Sequence, residues 1–169
     1  MTGDQKKVAI GAVSGIVGMI LSIWIFTQVL PDPGPTDLAS RLAYALKWDA
    51  FAALPFFAMI AAVGNARFLS EAIDPTAHKE SRKMEVDGRV ADNTLQQFLL
   101  FIVGTAALAA SLEGSEVKVV GACAITFVIM RIAFWIGYRI KPVYRAFGFS
   151  STAYMNLGLL VASIWFALR

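Results

Sequence analysis

Residues 8–31 run for 24 positions without a charge. A helix that crosses the hydrocarbon of a bilayer uses about 20 apolar residues. This one stretch therefore commits the chain to a membrane. The apolar core of a secretory signal is only about 7–15 residues long. The stretch is longer and no convincing A-x-A pattern follows it, so it is read as a retained span. Four more apolar stretches follow, at 50–66, 93–112, 117–138 and 146–168. With 57% hydrophobic and 16% charged residues, the chain is too apolar for a soluble domain, where charged residues make up about 25%. The expected fold class is all-α, a polytopic membrane helical bundle. Five spans and their loops nearly exhaust 169 residues, so no separate soluble domain is expected.

The connections have readable chemistry. PDPGPTD (31–37) breaks the chain, and Asp37 suits the cap of the next helix. That helix is expected to start as an interfacial stretch carrying Arg41, Lys47 and Asp49. Pro55 should kink it rather than end it, since packed neighbours can satisfy freed backbone groups. Residues 67–92 read as a charged loop, 113–116 as a short acidic turn and 139–145 as a basic turn. Gly11, Ser14, Gly15 and Gly18 recur at helical spacing in the first span. They suit either a close helix contact or a glycine-rich span without a specific partner.

Sorting Lys and Arg by side gives an orientation. Ten fall with the N-terminus and the 67–92 and 139–145 connections, and four (Arg41, Lys47, Lys118, Arg169) on the other side. By the positive-inside rule the N-terminus is cytoplasmic and the C-terminus lies opposite. Whether the membrane is a bacterial inner membrane or an endomembrane is open.

Polar groups converge near the basic side. Arg89, Asn93 and Gln96 share a helix face at i, i+4, i+7, with Gln97 on its flank. Arg131, Phe134 and Tyr138 share another at i, i+3, i+7, and Arg145 opens the last helix in the same leaflet. An ionisable residue inside a span is a functional candidate by default. The structural alternative for Arg131 is a snorkelling side chain or a pair with Asp92 or a helix-end carbonyl. Arginine grips carboxylates with paired hydrogen bonds, and Asn and Gln can read an amide. The set suits an anionic, peptide-like ligand. Cys123 reads as packing, and His78 as a solvated loop residue without a second histidine to make a metal site. There is no Ser-His-Asp set, no phosphate loop and no nucleic-acid stripe.

R-x-x-x-N-T-L-Q (89–96) resembles the R-x-x-x-N-x-x-E signature of the MAPEG family, the membrane-associated proteins of eicosanoid and glutathione metabolism. R-x-x-F-x-x-G-Y (131–138), followed by Arg145, resembles motifs of the third and fourth helices of that family. The resemblance covers roughly 42–169. It implies a MAPEG-like four-helix transmembrane domain at 37–169, preceded by an additional helix and linker at 1–36. It also implies homotrimers that bind glutathione as co-substrate at the cytoplasmic side, between subunits. Carried over residue by residue, Arg67, Arg89, Asn93, Gln96, Gln97, Arg131 and Tyr138 match glutathione contacts. Arg145 matches an arginine that stabilises the glutathione thiolate, through the lower thiol pKa that a nearby positive charge produces. The thiolate would attack a lipophilic small molecule arriving from the lipid bilayer.

Two departures stand out. Gln96 replaces the signature glutamate, and Phe134 stands where some members carry a tyrosine. The additional first helix and the N-T-L-Q wording lean toward the mattrin-like branch. Two functional readings remain open: a glutathione transferase or peroxidase, and a non-enzymatic membrane protein that binds a lipid or regulates a membrane partner.

Overall fold

The computed structural model describes residues 1–34 and 37–168. Residues 35 and 36 of the predicted breaker, and Arg169, lie outside the described residues. Among those described there is no strand, and six α-helices form five stretches long and apolar enough to cross a membrane. They are α1 (Gly3–Val29), α2 (Leu38–Ala52), α3 (Leu54–Phe68), α4 (Arg82–Ser111), α5 (Lys118–Ile140) and α6 (Ala146–Ala167).

Local chemistry sets the helix ends. Thr2 and Gln5 form a reciprocal capping box at the start of α1. Asp37 caps α2 as expected, accepting the Ser40 backbone N–H at 2.7 Å and its hydroxyl at 3.0 Å. These bonds hold the Asp37 carboxyl below its ordinary pKa. Helices α2 and α3 are two halves of one span. Pro55 offers no N–H, the helix is interrupted at Ala53, and bonding resumes with Phe57 N–H to the Ala53 carbonyl at 3.1 Å.

Two expectations are corrected. Residues 82–92 of the predicted loop are the first turns of α4, capped by Ser81, so the true connection runs over 69–81. Their charges had suggested a loop, but Met84, Asp87, Val90 and Ala91 line a buried face at helical spacing. Asp49, expected at the interface, is buried, and the Thr105 hydroxyl donates to its Oδ1 at 2.9 Å. It faces α4, while the exposed Lys47 lies on another side of the same helix.

The core is built where α4, α5 and α6 pack together and α2 closes on α4 and α5. Phe101, Phe127, Cys123, Met155 and Leu159 fill it. Arg41 reaches from α2 to the Leu112 and Ala110 carbonyls and ties the far end of α4.

Helix α1 lies along α5 and α6. A Cβ on Gly15 would collide with the Phe147 carbonyl, so only glycine permits this approach. The Ser151 hydroxyl donates to the Gly15 carbonyl at 2.8 Å, and Ser22 bonds Thr126 at 2.8 Å. The small residues of α1 thus have a specific partner.

Candidate functional site

A cleft of about 650 Å³ opens at the end of the bundle where α1 begins, α4 enters and α5 turns into α6. Its polar lining is Arg89 and Asn93 from α4, Tyr138 from α5, Arg145 from the turn and Ser150 from α6. Phe134, Phe149 and Val8 supply apolar wall. Tight packing at its base depends on Gly148, where a Cβ would collide with backbone atoms of Met130 and Phe134. Cation and hydroxyl meet on one wall, where Arg145 Nη1 donates to the Tyr138 hydroxyl at 2.9 Å and the guanidinium lies 4.9 Å from its ring centre. Among the described residues no carboxylate lines the cleft.

Arg131 sits behind this wall, fully buried at 0% exposure. It pairs with neither Asp92 nor a helix-end carbonyl. Its Nε and Nη2 donate to Thr94 Oγ1 at 3.1 and 2.6 Å, and Nη1 to Thr152 Oγ1 at 3.2 Å. Each of these hydroxyls spends its own proton on a carbonyl one turn back, Val90 for Thr94 and Gly148 for Thr152. Their lone pairs are therefore free for the guanidinium. The Phe134 ring covers it at 4.1 Å. Arg131 Nη2 also donates to Asn93 Oδ1 at 3.0 Å. That contact fixes the Asn93 amide, so the group it has left for a ligand in the cleft is its NH₂ donor.

Four of the residues singled out from sequence thus line one cleft: Arg89, Asn93, Tyr138 and Arg145. Arg131 does not line it and touches it through Asn93 and the Phe134 ring. The other three lie elsewhere in this chain. Gln96 is exposed one turn beyond Asn93 on α4 and does not line the cleft. Gln97 is buried, its Oε1 and backbone carbonyl taken by Asn156 at 2.9 and 2.8 Å. Arg67 bonds Glu80 at 2.9 Å and the Ala72 carbonyl. Sequence reasoning missed Ser150 and Val8. The i, i+3, i+4 spacing of Ala146, Phe149 and Ser150 was a usable signal for the first. Val8 carried none, since it depends on how α1 docks.

A bundle of membrane-spanning helices with a basic, hydroxyl-bearing cleft at one end defines a polytopic membrane protein with a ligand-sized site. The chain belongs to the MAPEG family, whose model matches residues 38–165, that is, everything from the start of α2 to near the end of α6. Helix α1 lies outside the match. The chain is 24% identical over 139 residues to transmembrane protein 79 of Mus musculus and of Bos taurus. The alignments take in 81% of this chain, which spans about a third (35%) of the length of those curated relatives. No solved structure matches.

Proposed function

We propose that the cleft binds glutathione and that the protein is a glutathione-dependent membrane enzyme, a transferase or peroxidase acting on lipophilic electrophiles. The observation that carries this reading is the Arg145–Tyr138 pair on a wall shared with Arg89 and Asn93. Arg89 and Arg145 can take the two carboxylates of a peptide-like ligand, and Asn93 can donate to a peptide carbonyl. Arg145, with Tyr138 orienting it, favours the ionised form of a thiol placed beside it. Phe134 and Phe149 offer apolar surface to the electrophile.

A second reading is supported by the lining itself. Without a carboxylate in the cleft, a ligand ammonium group meets no counter-charge, and Phe134 supplies no hydroxyl. This favours a non-enzymatic role in which the cleft holds a lipid or a membrane partner.

The same proposal includes a homotrimer with the N-terminus cytoplasmic. Polar Asp92 and Gln96 are exposed on α4 beside Leu99 and Val103, a mixed face better covered by a second copy than by lipid. For the orientation, protease applied to sealed inside-out vesicles should cut the 69–81 connection; protection there would reverse it.

The function is tested by titrating detergent-solubilised protein with glutathione and reading thiolate absorbance, with Arg145→Ala alongside. A thiolate signal lost in Arg145→Ala is expected. Binding without thiolate favours the non-enzymatic reading. Absence of binding at millimolar glutathione rejects the enzyme.

A further inference from the structure

We propose that a trough between α3 and α5 and a basic recess at its end form one site for an anionic phospholipid, with the head group in the recess and an acyl chain in the trough. The recess shares Tyr138 and Pro142 with the lining of the cleft, but the trough and the basic groups Arg82, Lys83 and Arg139 are its own, so the lipid site does not rest on what the cleft binds. The trough, about 490 Å³, is lined by Leu54, Pro55, Val128, Ile132, Trp135 and Ile136, with Arg139 at its end. The recess, about 560 Å³, is lined by Arg82, Lys83 and Arg139 together with Val86, Tyr138, Ile140 and Pro142. Arg139 belongs to both and joins them.

The joint is rigid. Asp87, only 1% exposed, takes Arg139 Nε at 2.7 Å and Nη2 at 2.6 Å. It also accepts the Trp135 indole N–H at 2.7 Å, and the guanidinium stacks 4.4 Å from the Trp135 ring. Nη1 is left uncommitted. Asp87 cancels the Arg139 charge, so Arg82 and Lys83 supply the surplus, and among the described residues no carboxylate lines the recess. They also stand in the first turn of α4, where the helix dipole adds to the attraction for an anion.

Length selects a lipid over a soluble anion. From Arg139 back to Val128 is 11 residues of α5. At about 1.5 Å each that is roughly 16 Å, the depth of one leaflet of a hydrocarbon core about 30 Å thick. A charged mouth over an apolar trough of that length fits a phospholipid anchored by its phosphate. Each basic residue at a membrane surface favours an anionic lipid by about fivefold.

The full chain is placed in phosphatidylcholine nanodiscs doped with phosphatidylglycerol carrying brominated acyl chains, which quench indole fluorescence on contact. The Trp135 signal is the difference between the wild-type chain and Trp135→Phe. Quenching is expected to half-saturate at a mole fraction at least about fivefold lower for brominated phosphatidylglycerol than for brominated phosphatidylcholine. The preference should vanish in Arg82→Ala/Lys83→Ala, whose side chains are exposed. Phosphatidylglycerol retained in native mass spectra of the purified protein should fall in the same double variant, which provides a readout independent of Trp135. Equal quenching by the two lipids overturns the proposal. So does a preference that survives the double substitution, or one that millimolar glycerol phosphate abolishes.

Discussion

Arg131 brings a charge inside the membrane span and meets hydroxyls instead of a carboxylate. What makes this tolerable is the division of labour at Thr94 and Thr152. Each proton goes to the helix backbone and each lone pair to the guanidinium. Thr94→Val keeps the shape and removes the acceptor for two guanidinium nitrogens. Hydrogen bonds to charged groups are worth about 1.5–3 kcal/mol. We expect Thr94→Val to destabilise by about 2–3 kcal/mol, measured by denaturation in mixed detergent. A change below about 0.5 kcal/mol would show that Arg131 finds acceptors elsewhere. Asp87 is the matching case at the basic end, a buried carboxylate held by Arg139 and Trp135. Its replacement by Ala should cost about 1–2 kcal/mol, since the Trp135 indole N–H loses its acceptor while the exposed Arg139 regains water. The spacing of Arg131 and Tyr138 on one face was legible in the sequence. That Arg131 points at threonines, with the cleft reached through Asn93 and the Phe134 ring, was not, because it depends on which faces of α4 and α6 turn inward.

The elements differ in how tightly they are committed. Helix α1 sits outside the family match, yet its docking on α6 is close and specific. Gly15→Val forces the backbones apart at Phe147 and should cost about 1–3 kcal/mol, as overpacking does. Gly158 has open space around its Cα, so Gly158→Ala should be neutral or stabilising, by up to about 1 kcal/mol from helix propensity. Thermal denaturation of the pair in one detergent separates them, and equal effects would mean that α1 is not held through Gly15. Helix α4 teaches the opposite lesson. Charges at Arg82, Lys83, Glu85, Asp87, Arg89 and Asp92 disguised its first turns as a loop. Amphipathic helical spacing was present there, but hydropathy marks only the part that lipid must solvate.

At the scale of the whole molecule, the exposed α4 face, like the cleft and the α3–α5 trough, is a surface that calls for something beyond one chain. If the α4 face joins copies of this chain, the protein solubilised in mild detergent should have the mass of three subunits. Gln96→Cys should then form disulfide-linked dimers under mild oxidation, since Cys123 is buried within the subunit. A monomeric mass and no cross-link would reject that assembly. The five spans and the convergence of Arg89, Asn93, Tyr138 and Arg145 were all readable from the chain. The separation of Arg67, Gln96 and Gln97 from that cleft was not. Each of them is one helical turn or one connection away from the site, and periodicity alone does not rank neighbouring faces.

The sequence by itself determined the class of fold, the number of spans and the layer in which the polar groups meet. The reason is that lipid accepts only long apolar helices and makes every interior charge conspicuous. Tertiary structure alone decided which partners those groups take. It placed Arg131 among hydroxyls, Gln97 against Asn156, Asp49 against Thr105 and Arg139 on Asp87. Those choices follow from the rotation of each helix about its axis. That rotation is set by packing contacts between elements far apart in the chain, such as Gly15 against Phe147.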